Sequence, residues 1–376
     1  MKKQLFLTLI LGVFFTTLAW CTSTSTSTDI KTIKIWVIAP VSWPATDYGM
    51  DGVNTYRYLA DKFNAEHKNL KIDLIVEDGK CNGKDATSAA QKLINVDQVP
   101  VIMWGSCSAE TMAAGKLAQE NGVVLMDSVS SDPIISTLGD HVFKYINDIY
   151  AGKKLAERVS KRFKSITLVY DNNDYGVALS DIVRKNYQWK ILADIKVQID
   201  EKDLSLVAKQ IKSANAEGIV VIDQDDTHAI AKAKAFQKEG LLALYKGKIM
   251  SAYFYSATSF LDAVGDIMEW AQQVDVPLVD NLWNKAQTFV SQFEKSYPIK
   301  VVPSYIVFQW EAMKIILDAI VAWNYDSISI QKYLHAIDQN NQREWLFGKY
   351  YFDWSDVVGI HYVIQQIENK KPVVIN

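Results

Sequence analysis

The sequence predicts an α/β protein made of two doubly wound lobes, each a parallel sheet with helices on both faces. Three observations carry that expectation. Short runs rich in Val and Ile alternate with amphipathic stretches, the pattern of buried parallel strands and their crossover helices. The alternation occurs as two series, one from residue 33 and one from about Asp148, with no long Pro/Gly linker between them. The 376 residues suffice for two cores, at roughly 100–200 residues per domain. Composition agrees: 49% apolar residues, 22% charged residues and only 8 prolines exclude a disordered or collagen-like chain.

In the first series, residues 33–39 read as a strand and 70–76 as another. Between them, 50–67 has helical apolar spacing at Val53, Tyr56, Leu59, Ala60 and Phe63. Residues 84–96 then read as helix, 99–104 as strand, 108–121 as a helix stopped by Gly122, and 123–126 as strand. The second series gives helices over 150–163, 176–187, 204–215 and 227–239, and strands over 165–170, 218–223 and 248–253. The tail from 278 is helical to about Gln339 and strand-like over 349–367, long enough to return to both lobes. Ligand chemistry in such a fold belongs at the carboxyl ends of the strands, facing a shared cleft.

The start of the chain is set apart from the fold. Lys2 and Lys3 precede an uncharged apolar stretch over 5–20, short for a membrane span of about 20 residues but suited to a signal-peptide core, so residues 1–20 are expected to be removed on export. The Leu18-Ala19-Trp20-Cys21 sequence that follows resembles a bacterial lipobox, with Cys21 lipidated and the Ser/Thr-rich residues 21–29 as a tether. Trp20 stands where that pattern has a small residue, and ordinary cleavage near Ala19 is the alternative. Losing residues 1–20 removes two lysines and no acid, taking the net charge from -3 to -5. Membrane contact is therefore expected only through the anchor. The scattered Lys and Arg also argue against nucleic acid as a partner.

Three cysteines make an odd count for an exported chain. If Cys21 carries lipid, Cys81 and Cys107 remain. They are either two unrelated buried thiols or a pair closing a loop of about 26 residues, which would contribute roughly 3–4 kcal/mol.

Five strand-to-loop junctions hold residues suited to a site. Trp43 and Tyr48 place large rings in the first, which two prolines fix. In the second, Ser108 opens a helix whose free N–H groups suit an anion, unless it is simply an N-cap. Cys107 in the same turn, within Gly-x-Cys-x-Ala, is reminiscent of a nucleophile elbow, although no His sits in a partner motif. The third, from Asp127 to Pro133, is a hydroxyl cluster including Ser131. The fourth, ending Asp174-Tyr175-Gly176, mirrors the Asp47-Tyr48-Gly49 of the first, and Tyr175 is its binding candidate. The fifth carries Asp223, Asp225 and Asp226, of which Asp226 reads as an N-cap and one faces the cleft to meet a cation. No P-loop, Gly-x-Gly-x-x-Gly, His-Glu-x-x-His or Cys-x-x-Cys is present, and no cofactor or metal is expected.

Ile38-Ala39-Pro40 through Asp47-Tyr48-Gly49, Val76-Glu77-Asp78-Gly79-Lys80-Cys81, Ala89-Ala90-Gln91-Lys92-Leu93-Ile94, Gly105-Ser106-Cys107-Ser108 and Tyr170-Asp171-Asn172-Asn173-Asp174-Tyr175-Gly176 together carry a resemblance. From about residue 33 to the end, the chain resembles the type I periplasmic binding proteins of branched-chain amino acid ABC transporters, the leucine/isoleucine/valine-binding group. The resemblance implies a Cys81–Cys107 disulfide and two lobes joined by a three-crossing hinge. The lobes are expected over 30–148 with 277–346, and over 149–276 with 347–376. It further implies an α-carboxylate held at Ser108 and Ser131, an ammonium near the Val129 carbonyl, and Tyr48 and Tyr175 lining the cleft from opposite lobes. Tyr253 stands where the family has a Glu for the ammonium and Trp43 where it usually has Gly, so Asp225 is the expected acceptor.

The sequence thus points to a monomeric extracytoplasmic solute-binding protein of an ABC importer. It would take a small polar, amino-acid-like ligand and deliver it to a membrane permease without catalysis. A sensing module for a membrane receptor is the alternative on the same fold, and a hydrolase using Cys107 is a third.

Overall fold

Two mixed sheets organise the chain in the computed structural model, which describes residues 30–42, 45–104, 106–322 and 325–375. The expected signal peptide, tether and Cys21 lie outside the described residues, as do Trp43 and Gly105.

The core of the first sheet is parallel: β1 (Lys31–Ala39), β2 (Leu70–Asp78), β3 (Val101–Trp104), β4 (Val124–Asp127) and β5 (Val142–Lys144), in the order β2-β1-β3-β4-β5. Every residue of β3, β4 and β5 is buried, as strands covered on both faces require. Helices α1 (Thr46–Glu66), α2 (Gly83–Asn95) and α3 (Ser108–Glu120) provide the cover. The predicted stripe from Val53 to Phe63 is the buried face of α1.

After α4 (Asp148–Arg162) comes the parallel core of the second sheet: β6 (Ser165–Asp171), β7 (Lys190–Val197), β8 (Gly218–Ile222), β9 (Ile249–Ala252) and β10 (Gln272–Asp275), in the order β7-β6-β8-β9-β10. Between these strands lie α5 (Asp174–Asn186), α6 (Ser205–Ala214), α7 (Asp226–Lys238), the one-turn α8 (Leu241–Leu244) and α9 (Thr258–Val264). The chain then returns to the first lobe through α10 (Asn284–Glu294), α11 (Pro303–Ala322), which packs on α1, and α12 (Ser327–His335).

The tail differs from expectation in two ways. It makes both sheets mixed, and it crosses later. β11 (Arg343–Trp345), β12 (Gly348–Asp353) and β13 (Asp356–Val358) extend the first sheet beyond β5, with Asp356 in register with Lys144. The crossing therefore falls after Val358, not at 346/347. The reason is packing: Tyr350 and Phe352 are buried, with ring centroids 5.6 Å from Tyr145 and 5.1 Å from Phe143 respectively. Only β14 (Val363–Glu368) and β15 (Lys371–Ile375) join the second sheet, as a hairpin antiparallel to β10. The chain thus passes between the sheets before α4, after β10 and after β13.

Candidate functional site

A cavity of about 90 Å³ lies between the lobes, walled by the loops and helix starts at the carboxyl ends of strands. The two Asp-Tyr-Gly motifs seat one tyrosine on each side, and the glycines explain how. A Cβ on Gly49 would lie 2.1 Å from the Pro40 carbonyl oxygen, and one on Gly176 would lie 2.2 Å from that of Asp171. Each helix can start this close to its strand end only with glycine, and the preceding Tyr48 or Tyr175 then lines the cavity.

The wall from the first lobe centres on the start of α3. Cys107 occupies the N-cap position without a side-chain cap bond, so the first N–H groups of the helix keep their anion-binding character. Ser106, Cys107 and Ser108 line the cavity there. Cys81 and Cys107 are paired, with Cα atoms 5.3 Å apart, tying this turn to the approach of α2. Ser108 Oγ accepts from the Asp132 N–H at 3.3 Å, which joins α3 to the loop bearing Val129 and Ser131. Lys144 Nζ, buried behind that loop, donates to the Asp132 carbonyl at 2.8 Å.

The wall from the second lobe rests on a buried ionic cluster. Lys232 bridges Asp171 and Asp223, and the Gln224 N–H donates to Asp171 Oδ2 at 2.7 Å. Asn173 Nδ2 donates to Gln224 Oε1 at 2.9 Å, so the two loops present themselves as one unit. The charged side chains they place on the cavity are Asp174 and Asp225, and no Lys, Arg or His lines it among the described residues.

Aromatic rings close the space between the walls. Phe254 stands edge-to-face against Tyr48 at 5.6 Å and Tyr175 at 6.1 Å, while Tyr305 of α11 lies 6.3 Å from Tyr48. Tyr253 and Phe254 hold φ of 60° and 57°, a left-handed pair costing of the order of 1–3 kcal/mol per residue. That turn aims two successive rings into the cleft. Beneath them, Asp148 Oδ2 accepts from Ser131 Oγ at 3.0 Å and Oδ1 from the Tyr253 hydroxyl at 3.1 Å, joining the lobes through one carboxylate. Burial pushes that carboxyl up to about 7, against the pull of Lys144.

A family model described as periplasmic binding protein matches residues 32–370. The chain belongs to the periplasmic binding protein family. A "Leucine-, isoleucine-, valine-, threonine-, and alanine-binding protein" of Pseudomonas aeruginosa is 27% identical over 221 residues, covering 55% of this chain and 58% of that protein. The chain thus spans little more than half the length of that relative. Among solved structures, a LivJ branched-chain amino acid binding protein from Streptococcus pneumoniae, in complex with isoleucine, superposes with a TM-score of 0.81 at 20% identity, over 92% of this chain and 99% of that one. A solute binding protein from Rhodopseudomonas palustris BisB5, in complex with 3,4-dihydroxy benzoic acid, gives 0.80 at 17%, over 92% and 96%.

In this periplasmic binding protein the structure gathers Tyr48, Cys107, Ser108, Val129, Ser131, Tyr175, Asp225 and Tyr253 around one cavity. Two assignments change. Ser108 is not the cap of α3, since Cys107 precedes it in extended conformation. The cap of α7 is Asp225, which accepts from the His228 N–H at 2.8 Å, while Asp226 bonds Ser259. The Cys107 sulfur, weighed above as a nucleophile, is paired with that of Cys81 in the structure. Phe254, Tyr305, Ile146 and Asp148 escaped the sequence reading. Asp148 only marked the start of the second series, and its neighbours Ser131 and Tyr253 lie 17 and 105 residues away in the chain.

Proposed function

We propose that this protein is the extracytoplasmic solute-binding component of an ABC importer, closing its two lobes over an amino acid or close derivative. The observation that carries this is the dipolar lining of the cavity: an uncapped helix start with serines on one wall, and on the other Asp174 and Asp225 with no basic side chain among the described residues. The α-carboxylate lies against Ser108 and Ser131. The ammonium faces Asp225 and the rings, where cation–π contacts contribute about 0.5–2 kcal/mol. An aromatic acid, the ligand class of the Rhodopseudomonas protein, would leave the acidic wall without a partner.

The hinge is the three crossings, so 30–148 with 277–358 moves against 149–276 with 359–376. The protein is exported, held to the membrane through lipid on Cys21, monomeric, disulfide-bonded at Cys81–Cys107, and passes its ligand to a permease. It binds and does not catalyse. A melting-shift screen of amino acids and benzoates tests the reading, because ligand at 100 times its Kd stabilises by about 2.7 kcal/mol. Shifts with amino acids are expected; shifts with benzoates alone would overturn it.

A further inference from the structure

Two polar atoms at the cleft are left over once its hydrogen bonds are assigned. The hydroxyls of Tyr48 and Tyr175 are buried and have no hydrogen-bond partner among the described residues. Both side chains line the cavity, one from each lobe, and both are at least nine-tenths buried. Tyr253 shows that a tyrosine here can be satisfied by the protein, because its hydroxyl donates to Asp148. Tyr48 and Tyr175 have no such acid within bonding reach, and buried polar groups of this kind normally have partners.

We infer that the ligand is an amino acid with a short, neutral, oxygen-bearing side chain, a hydroxyl or a carboxamide, which accepts hydrogen bonds from the hydroxyls of Tyr48 and Tyr175. This rests on the amino-acid reading of the cleft and fixes the side chain. Two features select neutral oxygen over carboxylate. Burial first, and then the negative field of Asp225, Asp226 and Asp275 at Tyr48 and of Asp148, Asp223 and Asp275 at Tyr175, keeps each phenol protonated as a donor. Among the described residues, no basic side chain lines the cavity to offset a second ligand carboxylate. Size agrees, since about 90 Å³ is far below the roughly 300–1,000 Å³ of a pocket for a drug-sized ligand. An aliphatic side chain would leave both hydroxyls unpaired, and a site built to hydrogen-bond an oxygen rejects the isostere that lacks it.

Isosteric pairs give the test. Calorimetric titration of the full mature chain with L-threonine against L-valine, and L-asparagine against L-leucine and L-aspartate, should show the neutral polar member of at least one set binding tenfold or more tightly. Tyr48→Phe and Tyr175→Phe keep the rings, and each should shrink that ratio at least threefold. Valine binding as well as threonine, together with leucine or aspartate binding as well as asparagine, would overturn the inference and leave the amino-acid reading standing. Ratios unmoved by both Phe variants would also overturn it. Binding of 4-hydroxybenzoate with none of these amino acids would overturn the reading itself.

Discussion

The two walls of the cleft are built from the same motif and end with opposite chemistry. Each begins with a strand, an Asp-Tyr-Gly turn and a helix, and in each the glycine lets helix and strand touch. On the first wall the groups left facing the ligand are donors: an uncapped helix start, Ser106 and Ser108. On the second the helix starts are capped by their own side chains, Asn173 on α5 and Asp225 on α7, and what remains facing the ligand is negative. Capping is thus the difference. Where Cys107 replaces a capping residue, the helix dipole is left for a ligand; where Asp225 caps, its charge is left over instead.

Changes aimed at one wall should break this contrast on one side. The largest effect is expected on the first wall. Replacing both cysteines, Cys81→Ala with Cys107→Ala, should cost roughly 3–4 kcal/mol by chemical denaturation on the chain-entropy model, and unreduced wild type should show no free thiol at these positions by mass spectrometry. On the second wall, Asp225→Asn keeps a capping oxygen but removes the charge. It should weaken ligand binding by tenfold or more, about 1.4 kcal/mol, with little loss of stability. Asp225→Ala should show the same binding loss plus about 1 kcal/mol for the cap, and wild-type affinity in both would remove Asp225 from the site.

The smallest effect concerns the carboxylate between the walls. Burial raises Asp148 and Asp275 to about 7 and Glu110 to about 8. Their native values exceed those of the unfolded chain, so the folded state holds protons that the unfolded state releases. The stability these three groups contribute is therefore fully present below about pH 4 and is lost as pH rises through 7–8. His228, also raised, acts in the same direction. The melting temperature should fall between pH 6 and 8.5, and Asp148→Asn should flatten that slope. An unchanged slope would place the Asp148 titration elsewhere.

Strands β1–β4, β6, β8 and β9 were legible because they read as runs rich in Val and Ile, as in Gly218–Ile222, whereas the three-residue β5 and the half-exposed edge strand β7 were missed. β10 was not legible. Gln272, Gln273 and Asp275 look like loop, and they are buried because Gln273 Nε2 reaches Gln365 Oε1 at 2.8 Å and Gln272 Nε2 reaches Gln366 Oε1 at 2.7 Å across the antiparallel β14. At the site, Trp43, Tyr48, Cys107, Ser108 and Tyr175 were singled out by their place at strand-to-loop junctions, and Val129, Tyr253 and the role of Asp225 by the family resemblance. Phe254 was not, since a left-handed pair of aromatic residues has no local sequence signature, and Tyr305 comes to the cavity from the middle of the tail.

The most direct test of a dipolar cleft is calorimetry with the amino acid that gives the largest melting shift, set against its two half-charged forms. The N-acetyl derivative lacks the ammonium and the methyl ester lacks the carboxylate. Opposite walls that each bind one charge predict that both derivatives lose at least a hundredfold in affinity, about 2.7 kcal/mol. In Asp225→Asn the penalty for acetylation should shrink while the penalty for esterification stays. An N-acetyl derivative that binds wild type as tightly as the free amino acid would contradict the account.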